Sequence, residues 1–225
     1  SNIERTAINF MGCYAAFNAL KVARDICKAN EKAQVLVVCT ELCSIHFQKE
    51  SNDDNLLANA LFGDGSSALL IATKPSKGLN LKLEHFLCDL LPNGNDEMAW
   101  SVGDYGFEMK LSSYVPDIID KGVGKLIKQV QDRLGNINPK HYAIHPGGKK
   151  ILEVLEKALG IKKVENNAAY EVLKNYGNMS SPTILFVLKH ILTNLTANND
   201  NETVLGFAFG PGLTLESMIL TVKHV

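Results

Sequence analysis

Cys13 is a candidate nucleophile because it lies at the start of a predicted helix. It follows Gly12, and apolar residues then recur at helical spacing as far as residue 29. The positive end of the helix dipole and the free amides of the first turn would lower the pKa of a thiol in that position, which favours the reactive thiolate. A buried structural cysteine is the competing interpretation. The position of Cys13 alone does not decide between the two.

His145 and Asn178 are candidate partners for Cys13. His145 ends a short predicted strand and is followed by Pro146-Gly147-Gly148, a loop that lets the backbone come close to a ligand. Asn178 precedes a predicted helix, where its amide could donate to an oxyanion or serve as a loop or cap residue. Each residue alone has an ordinary structural interpretation. Together they form a Cys-His-Asn set suited to covalent acyl transfer.

These residues would be positioned by alternating helices and strands, which predicts an α/β fold. Residues 34–39 form a short apolar run typical of a strand covered on both faces. Gly160 is a normal helix C-cap, and Ser180-Ser181-Pro182 predicts a helix start with a hydroxyl cap. Helices are predicted over 13–29, 56–61, 114–134, 149–159 and 180–195, strands over 34–39, 68–72, 79–86, 141–145, 203–209 and 213–222, and connections at 62–65 (glycine turn), 91–103 (loop) and 210–212 (hairpin turn).

Composition and charge exclude several classes of protein. The chain has 23 basic and 24 acidic side chains and a net charge of −1, so no overall field attracts nucleic acid or an anionic membrane. Its apolar runs are far shorter than the roughly 20 residues of a membrane span, and its first residues lack a signal-peptide pattern. Five cysteines without a Cys-x-x-Cys pair argue against a disulfide framework or a zinc site. We therefore expect a cytoplasmic protein without a metal and without nucleic-acid or membrane partners.

Six segments occur in the order and approximate spacing of one known family. They are Gly12-Cys13 with its helix, Val35 to Glu41, Leu61 to Gly65, His145 to Gly148, Gly177 to Ser181, and Gly210 to Thr214. On these motifs the chain resembles the type III polyketide synthases, the chalcone synthase family, nearly from end to end. The resemblance implies a thiolase-like fold with a layered α-β-α arrangement. Residues 1–78 would be the end of the first half, carrying the nucleophile, and residues 79–225 the complete second half, carrying the histidine and asparagine.

The resemblance also implies a reaction. Cys13 would take an acyl group from coenzyme A as a thioester, while His145 and Asn178 would promote decarboxylation of malonyl-CoA and stabilise the resulting enolate. Coenzyme A thioesters would be substrates, and no cofactor is expected. Members of the family carry a further segment ahead of the nucleophile, with basic residues for coenzyme A and a dimer contact. We therefore expect a homodimer, and we expect this chain to be a C-terminal fragment with weakened coenzyme A binding.

The resemblance assigns further residues to substrate binding. Phe62 matches a gatekeeper between the coenzyme A tunnel and the reaction cavity, and Met109 matches a second gatekeeper that is usually phenylalanine in the plant enzymes. Cys43, His46 and Trp100 match cavity-lining positions that are smaller or hydroxylated in chalcone synthases, which predicts a reshaped cavity. Core packing is the competing interpretation for Met109 and Trp100. The remaining predicted substrate-binding residues are Gly147, Gly148, Lys150, Ser180 and Pro211.

Other functions stay open at this point. A ketoacyl-ACP synthase III or a hydroxymethylglutaryl-CoA synthase would share the condensing chemistry, and a non-catalytic dimerisation module would share the fold alone. A cysteine protease also uses Cys, His and Asn, but the Cys-Gly-Ser-Cys-Trp context of the papain-like enzymes is absent around Cys13.

Overall fold

The computed structural model describes residues 3–49, 52–90, 98–103, 106–111, 115–135 and 137–225, and these form a mixed α/β fold. Short 3₁₀ turns, among them Gly12–Tyr14 and Pro211–Leu213, connect the longer elements. The helices are α1 (Ala15–Ala29), α2 (Asp53–Leu61), α3 (Val115–Leu134), α4 (Lys149–Leu159), α5 (Asn167–Tyr176) and α6 (Thr183–Asn194). The strands are β1 (Gln34–Glu41), β2 (Gly65–Ala72), β3 (Leu79–Leu90), β4 (Met98–Gly103), β5 (Gly106–Leu111), β6 (His141–Ile144), β7 (Thr203–Gly210) and β8 (Thr214–His224).

A four-stranded sheet in the order β3-β8-β7-β6 forms the centre of the molecule. Strands β6 and β7 are parallel, and the other two pairs are antiparallel. Alternate residues of β7 enter two different apolar clusters: Phe207 packs with residues of α3 and α4, whereas Ala208 packs with residues of α1 and α6. The sheet is therefore covered by helices on both faces, which confirms the predicted layered α-β-α arrangement.

Strands β1 and β2 form a separate antiparallel pair. On one face, Val37 and Cys39 are buried in the same cluster as Phe17 of α1. On the other face, Leu36 and Val38 are 65% and 57% exposed. The prediction that residues 34–39 form a strand covered on both faces is therefore wrong: within the described part of the chain, only one face of β1 is covered.

Helix α1 is joined to the central sheet by a buried ion pair. Lys21 Nζ lies 2.6 Å from both carboxylate oxygens of Glu216 on β8 and donates to Asn18 Oδ1 at 3.2 Å. The Glu216 side chain is only 2% exposed and that of Lys21 25%. Burial raises the pKa of Glu216, and the ammonium of Lys21 opposes that rise.

Three local predictions need correction. Residues 98–103, expected in a loop, form β4 and pair with β5, while residues 91–97 and Tyr114 lie outside the described residues. Helix α5 was not predicted. Helix α6 begins at Thr183 without a side-chain cap, because the hydroxyls of Ser180 and Ser181 donate to Glu41 instead.

Other predictions are confirmed. Gly160 ends α4 in the left-handed conformation and donates its N–H to the carbonyls of Glu156 and Lys157. Strands β7 and β8 form the expected hairpin around Pro211–Leu213. No helix in the described ranges is long and apolar enough to cross a membrane.

Candidate active site

The Gly12–Tyr14 turn places Cys13 at the start of α1, as the sequence predicts. Gly12 has φ +66°, and a Cβ on it would lie 2.8 Å from Pro211 Cδ. Both the backbone conformation and the close approach of the β7–β8 turn therefore require glycine before the nucleophile. Tyr14, on the other side of Cys13, is buried and packs against Gly210.

Backbone hydrogen bonds hold Asn178 beside Phe62. The N–H of Asn178 donates to the carbonyl of Leu61, and the N–H of Gly63 donates to the carbonyl of Asn178, both at 2.9 Å. Gly177 enters this pairing at φ +70°, where a Cβ would lie 2.9 Å from Leu61 O. The Asn178 side chain is thereby brought to Cys13: its Nδ2 and Oδ1 atoms each lie 3.9 Å from Sγ.

His145 follows β6, and its N–H donates to Phe207 O on β7 at 2.8 Å. The residue is 1% exposed, and neither ring nitrogen has a hydrogen-bond partner within the part of the chain that the structure describes. Burial lowers the pKa of His145 to about 3. The imidazole is therefore neutral near pH 7, with one nitrogen able to donate and the other able to accept a proton.

Burial also controls the Cys13 thiol, raising its pKa to about 11. The polar side chains of Ser180 and Asn178 lower this pKa, and the charge of Glu41 raises it, but both effects are smaller than desolvation. The expectation of a lowered pKa at the helix start is wrong, because the loss of solvation raises the pKa of Cys13 by more than its hydrogen bonds lower it. Cys13 is a protonated thiol near neutral pH.

Nearly all predicted site residues line a single cavity of about 1790 Å³. The side chain of Met109 lies outside the described residues, although its backbone pairs with Trp100 in the β4–β5 hairpin. The predicted residues that line the cavity are Cys13, Cys43, His46, Phe62, Trp100, His145, Gly147, Gly148, Lys150, Asn178, Ser180 and Pro211.

Aromatic side chains form part of the cavity wall. The Trp100 ring lies 4.9 Å from the His46 ring and 6.1 Å from the Phe10 ring, measured between centroids, and all three residues line the cavity. Burial, followed by the charge of Glu41, raises the pKa of the neighbouring Cys43 to about 12. This part of the wall is bulky and carries a neutral thiol.

Sequence reasoning missed the roles of Glu41 and Thr183. Glu41 lines the cavity at the end of β1, and its Oε1 accepts from Ser181 Oγ at 2.7 Å and from Ser180 Oγ at 3.3 Å. Thr183 is fully buried behind the same segment. A carboxylate ending an apolar strand is a signal for Glu41, whereas no local pattern distinguishes Thr183.

In the described ranges, no three His, Cys, Asp or Glu side chains are arranged to hold a metal ion.

The layered sheet and helices define a thiolase-like fold, with a thiol, an imidazole and an amide around one cavity. The chain belongs to the chalcone and stilbene synthase family. The family's profile for "Chalcone and stilbene synthases, C-terminal domain" matches residues 82–223, and the profile for the corresponding N-terminal domain matches residues 1–75.

Individual relatives agree with this assignment. "Probable polyketide synthase 1" of Dictyostelium discoideum is 32% identical over 229 residues, covering 97% of this chain and 7% of its own length. The type III polyketide synthase domain of Steely1 from Dictyostelium superposes with a TM-score of 0.88 at 31% identity, covering 98% of this chain and 62% of that one. PKS-I of the brown alga Ectocarpus siliculosus gives a TM-score of 0.89 at 28% identity, covering 97% and 60%. The chain therefore spans about three fifths of these solved structures.

Proposed function

We propose that the protein is an acyltransferase that condenses an acyl-CoA starter with malonyl-CoA. The observation that carries this proposal is the meeting of the Cys13 thiol, the neutral His145 ring and the Asn178 amide on one cavity. Family membership supports the same chemistry. On this proposal, residues 1–78 contribute the nucleophile, and residues 79–225 contribute the two hydrogen-bonding groups.

Loading begins with attack of the Cys13 sulfur on the thioester carbonyl of the starter. Because the pKa of Cys13 is about 11, the thiol must lose its proton as the S–C bond forms. On this proposal the neutral ring of His145 accepts that proton, because the negative charge that forms on sulfur stabilises the imidazolium. The proton then passes to the departing sulfur, coenzyme A leaves as a thiol, and Cys13 holds the acyl group.

Decarboxylation follows at the same polar groups. The bond between the malonyl α-carbon and its carboxylate breaks, carbon dioxide leaves, and the electron pair moves to the thioester oxygen as an enolate. Asn178 Nδ2 and a ring N–H of His145 are neutral donors that stabilise this oxygen as its charge develops. Burial of His145 keeps a donor in place without a permanent positive charge.

Condensation completes the cycle. The enolate carbon attacks the acyl carbonyl on Cys13, the C–S bond breaks, and the product leaves as a β-ketoacyl-CoA while the Cys13 thiolate is reprotonated. The cavity of about 1790 Å³ has room for an extended chain. Phe62 and Met109 are proposed gatekeepers, Gly147, Gly148, Lys150, Ser180 and Pro211 are proposed thioester contacts, and Cys43, His46 and Trp100 are proposed to shape the product. We further propose that the working unit is a homodimer.

The reaction is tested with the full-length protein, a series of acyl-CoA starters and [2-¹⁴C]malonyl-CoA. We expect extended products by mass spectrometry and release of carbon dioxide. Carrier-protein thioesters offered at equal concentration should be poorer substrates, and the reverse preference would favour a ketoacyl-ACP synthase III-like enzyme. Absence of any extended product with every starter would reject the proposal.

Two variants separate the steps. Cys13→Ala should abolish acyl-enzyme formation while leaving malonyl-CoA decarboxylation measurable, because the enolate donors remain. Asn178→Ala should do the reverse, retaining acylation and lowering decarboxylation by roughly 100- to 1,000-fold, the usual effect of removing one oxyanion donor. Equal loss of both steps in both variants would argue against these roles.

A further inference from the structure

The orientation of the Asn178 amide is set by a backbone group. The N–H of Ser180 donates to Asn178 Oδ1 at 2.9 Å, and both groups are buried. The sulfur of Cys13 lies 3.9 Å from both amide atoms, so it does not distinguish the two possible flips of the side chain. Because a backbone N–H can only donate, Oδ1 must face Ser180, and Nδ2 is left to donate into the cavity.

Ser180 holds an unusual backbone conformation to make this contact. Its φ is +58°, in the left-handed region that residues other than glycine rarely adopt. Such a conformation persists only when surrounding contacts enforce it. The Ser180 hydroxyl donates to Glu41 Oε1 at 3.3 Å, a longer hydrogen bond than the 2.7 Å one from Ser181.

The enforcing contacts come from Thr183. Its Oγ1 accepts from Met179 N–H at 2.8 Å and donates to Ser180 C=O at 2.8 Å, and its own N–H donates to the same carbonyl at 3.1 Å. The hydroxyl thus connects the peptide group between Asn178 and Met179 with the one between Ser180 and Ser181. Thr183 is 0% exposed and does not line the cavity.

We propose that Thr183 is a positioning residue that fixes the Asn178 amide with Nδ2 toward the reacting oxygen. It acts through the turn at residues 178–180. A hydroxyl is required because one atom must accept from Met179 and donate to Ser180 at the same time. Valine has the same shape but can do neither, so it would release the turn and leave a buried N–H without a partner. The catalytic part of this inference rests on the proposed function.

The test compares Thr183→Val, Thr183→Ser and the matched control Val187→Ala in the full-length protein. Val187 is fully buried on the same helix, so its truncation weakens packing without touching the turn. Thr183→Val should lower kcat for malonyl-CoA decarboxylation by about 10- to 100-fold, with a smaller effect on KM. Thr183→Ser should restore most of the loss. A Thr183→Val rate equal to that of Val187→Ala would overturn the proposal.

Crystal structures of the wild type and Thr183→Val provide a readout independent of activity. We expect Ser180 to leave the left-handed region in the variant and the 2.9 Å contact to Asn178 Oδ1 to be lost. An unchanged turn and amide in Thr183→Val would reject the positioning role whatever the kinetics show. A wild-type protein that does not decarboxylate malonyl-CoA would instead reject the proposed function, and the two structures would still decide what Thr183 holds in place.

Discussion

The four-stranded sheet and the β1–β2 pair differ in how completely their faces are covered. In the four-stranded sheet, β7 and β8 are buried on both faces, and helices lie above and below them. In the β1–β2 pair, one face packs with α1, while the other leaves Leu36 and Leu70 65% and 61% exposed. The four-stranded sheet therefore holds His145 beside a closed core, and α1, which follows Cys13, packs against that core.

Two of these contacts can each be removed by a single substitution. Lys21 on α1 pairs with Glu216 on β8, and Gly12 lies against Pro211 in the β7–β8 turn. If these two contacts hold α1 in place, changes at them should lower the free energy of unfolding more than changes on the open face of β1.

The largest effect on stability is expected from Lys21→Met. It leaves the Glu216 carboxylate buried without its cation, and breaking such a pair costs about 3–5 kcal/mol, toward the lower end here because Lys21 is partly exposed. Urea unfolding measures the loss. The control is Lys82→Met, which removes an exposed lysine paired with Glu84 and should change stability by about 0.5 kcal/mol or less. Equal effects of the two variants would show that the pair does not hold α1 in place.

The second prediction compares two glycines with similar positive φ angles. Gly212 has φ +72° and open space around its Cα, so Gly212→Ala should cost only backbone strain, about 1 kcal/mol. Gly12→Ala adds an overlap with Pro211 at 2.8 Å, so we expect about 2–3 kcal/mol and a displaced Cys13. Thermal unfolding and the rate of Cys13 alkylation measure both. An alkylation rate altered as much by Gly212→Ala would contradict the specific role of the Gly12 contact.

The third prediction concerns pH and the closed core around His145. The pKa of His145 is about 3 when folded against an ordinary 6.5, so between these values the unfolded chain binds a proton that the folded chain does not. The free energy of unfolding therefore decreases by about 2 kcal/mol as the pH falls from 7 to 5. His145→Gln should remove this part of the pH dependence in urea unfolding, whereas exposed His224→Gln should retain it. A wild-type curve that is flat over this range would show that the histidine is accessible to water.

The contrast between the closed four-stranded sheet and the open β1–β2 pair also separates the features that the sequence predicts from those that it does not. Periodicity and glycine turns identified the α/β class, the helix after Cys13 and the β7–β8 hairpin, because these depend on local patterns. Local patterns do not report burial. The sequence therefore predicts a lowered pKa for Cys13, whereas burial raises that pKa to about 11. The exposed face of β1 was missed for the same reason, since an apolar run looks alike whether one face is covered or two. Thr183 was missed because its role depends on a turn that only the folded chain displays.

The smallest effect is expected on the open face of β1. Leu36→Thr changes a side chain that is already 65% exposed and introduces a β-branched residue, which suits a strand, so we expect the free energy of unfolding to change by no more than about 0.5 kcal/mol. Val37→Thr, one residue along, places a hydroxyl among buried apolar groups and should cost about 1–3 kcal/mol. Urea unfolding of the 225-residue chain measures both. If Leu36→Thr costs as much as Val37→Thr, both faces of β1 are packed, and the distinction between the two sheets does not hold.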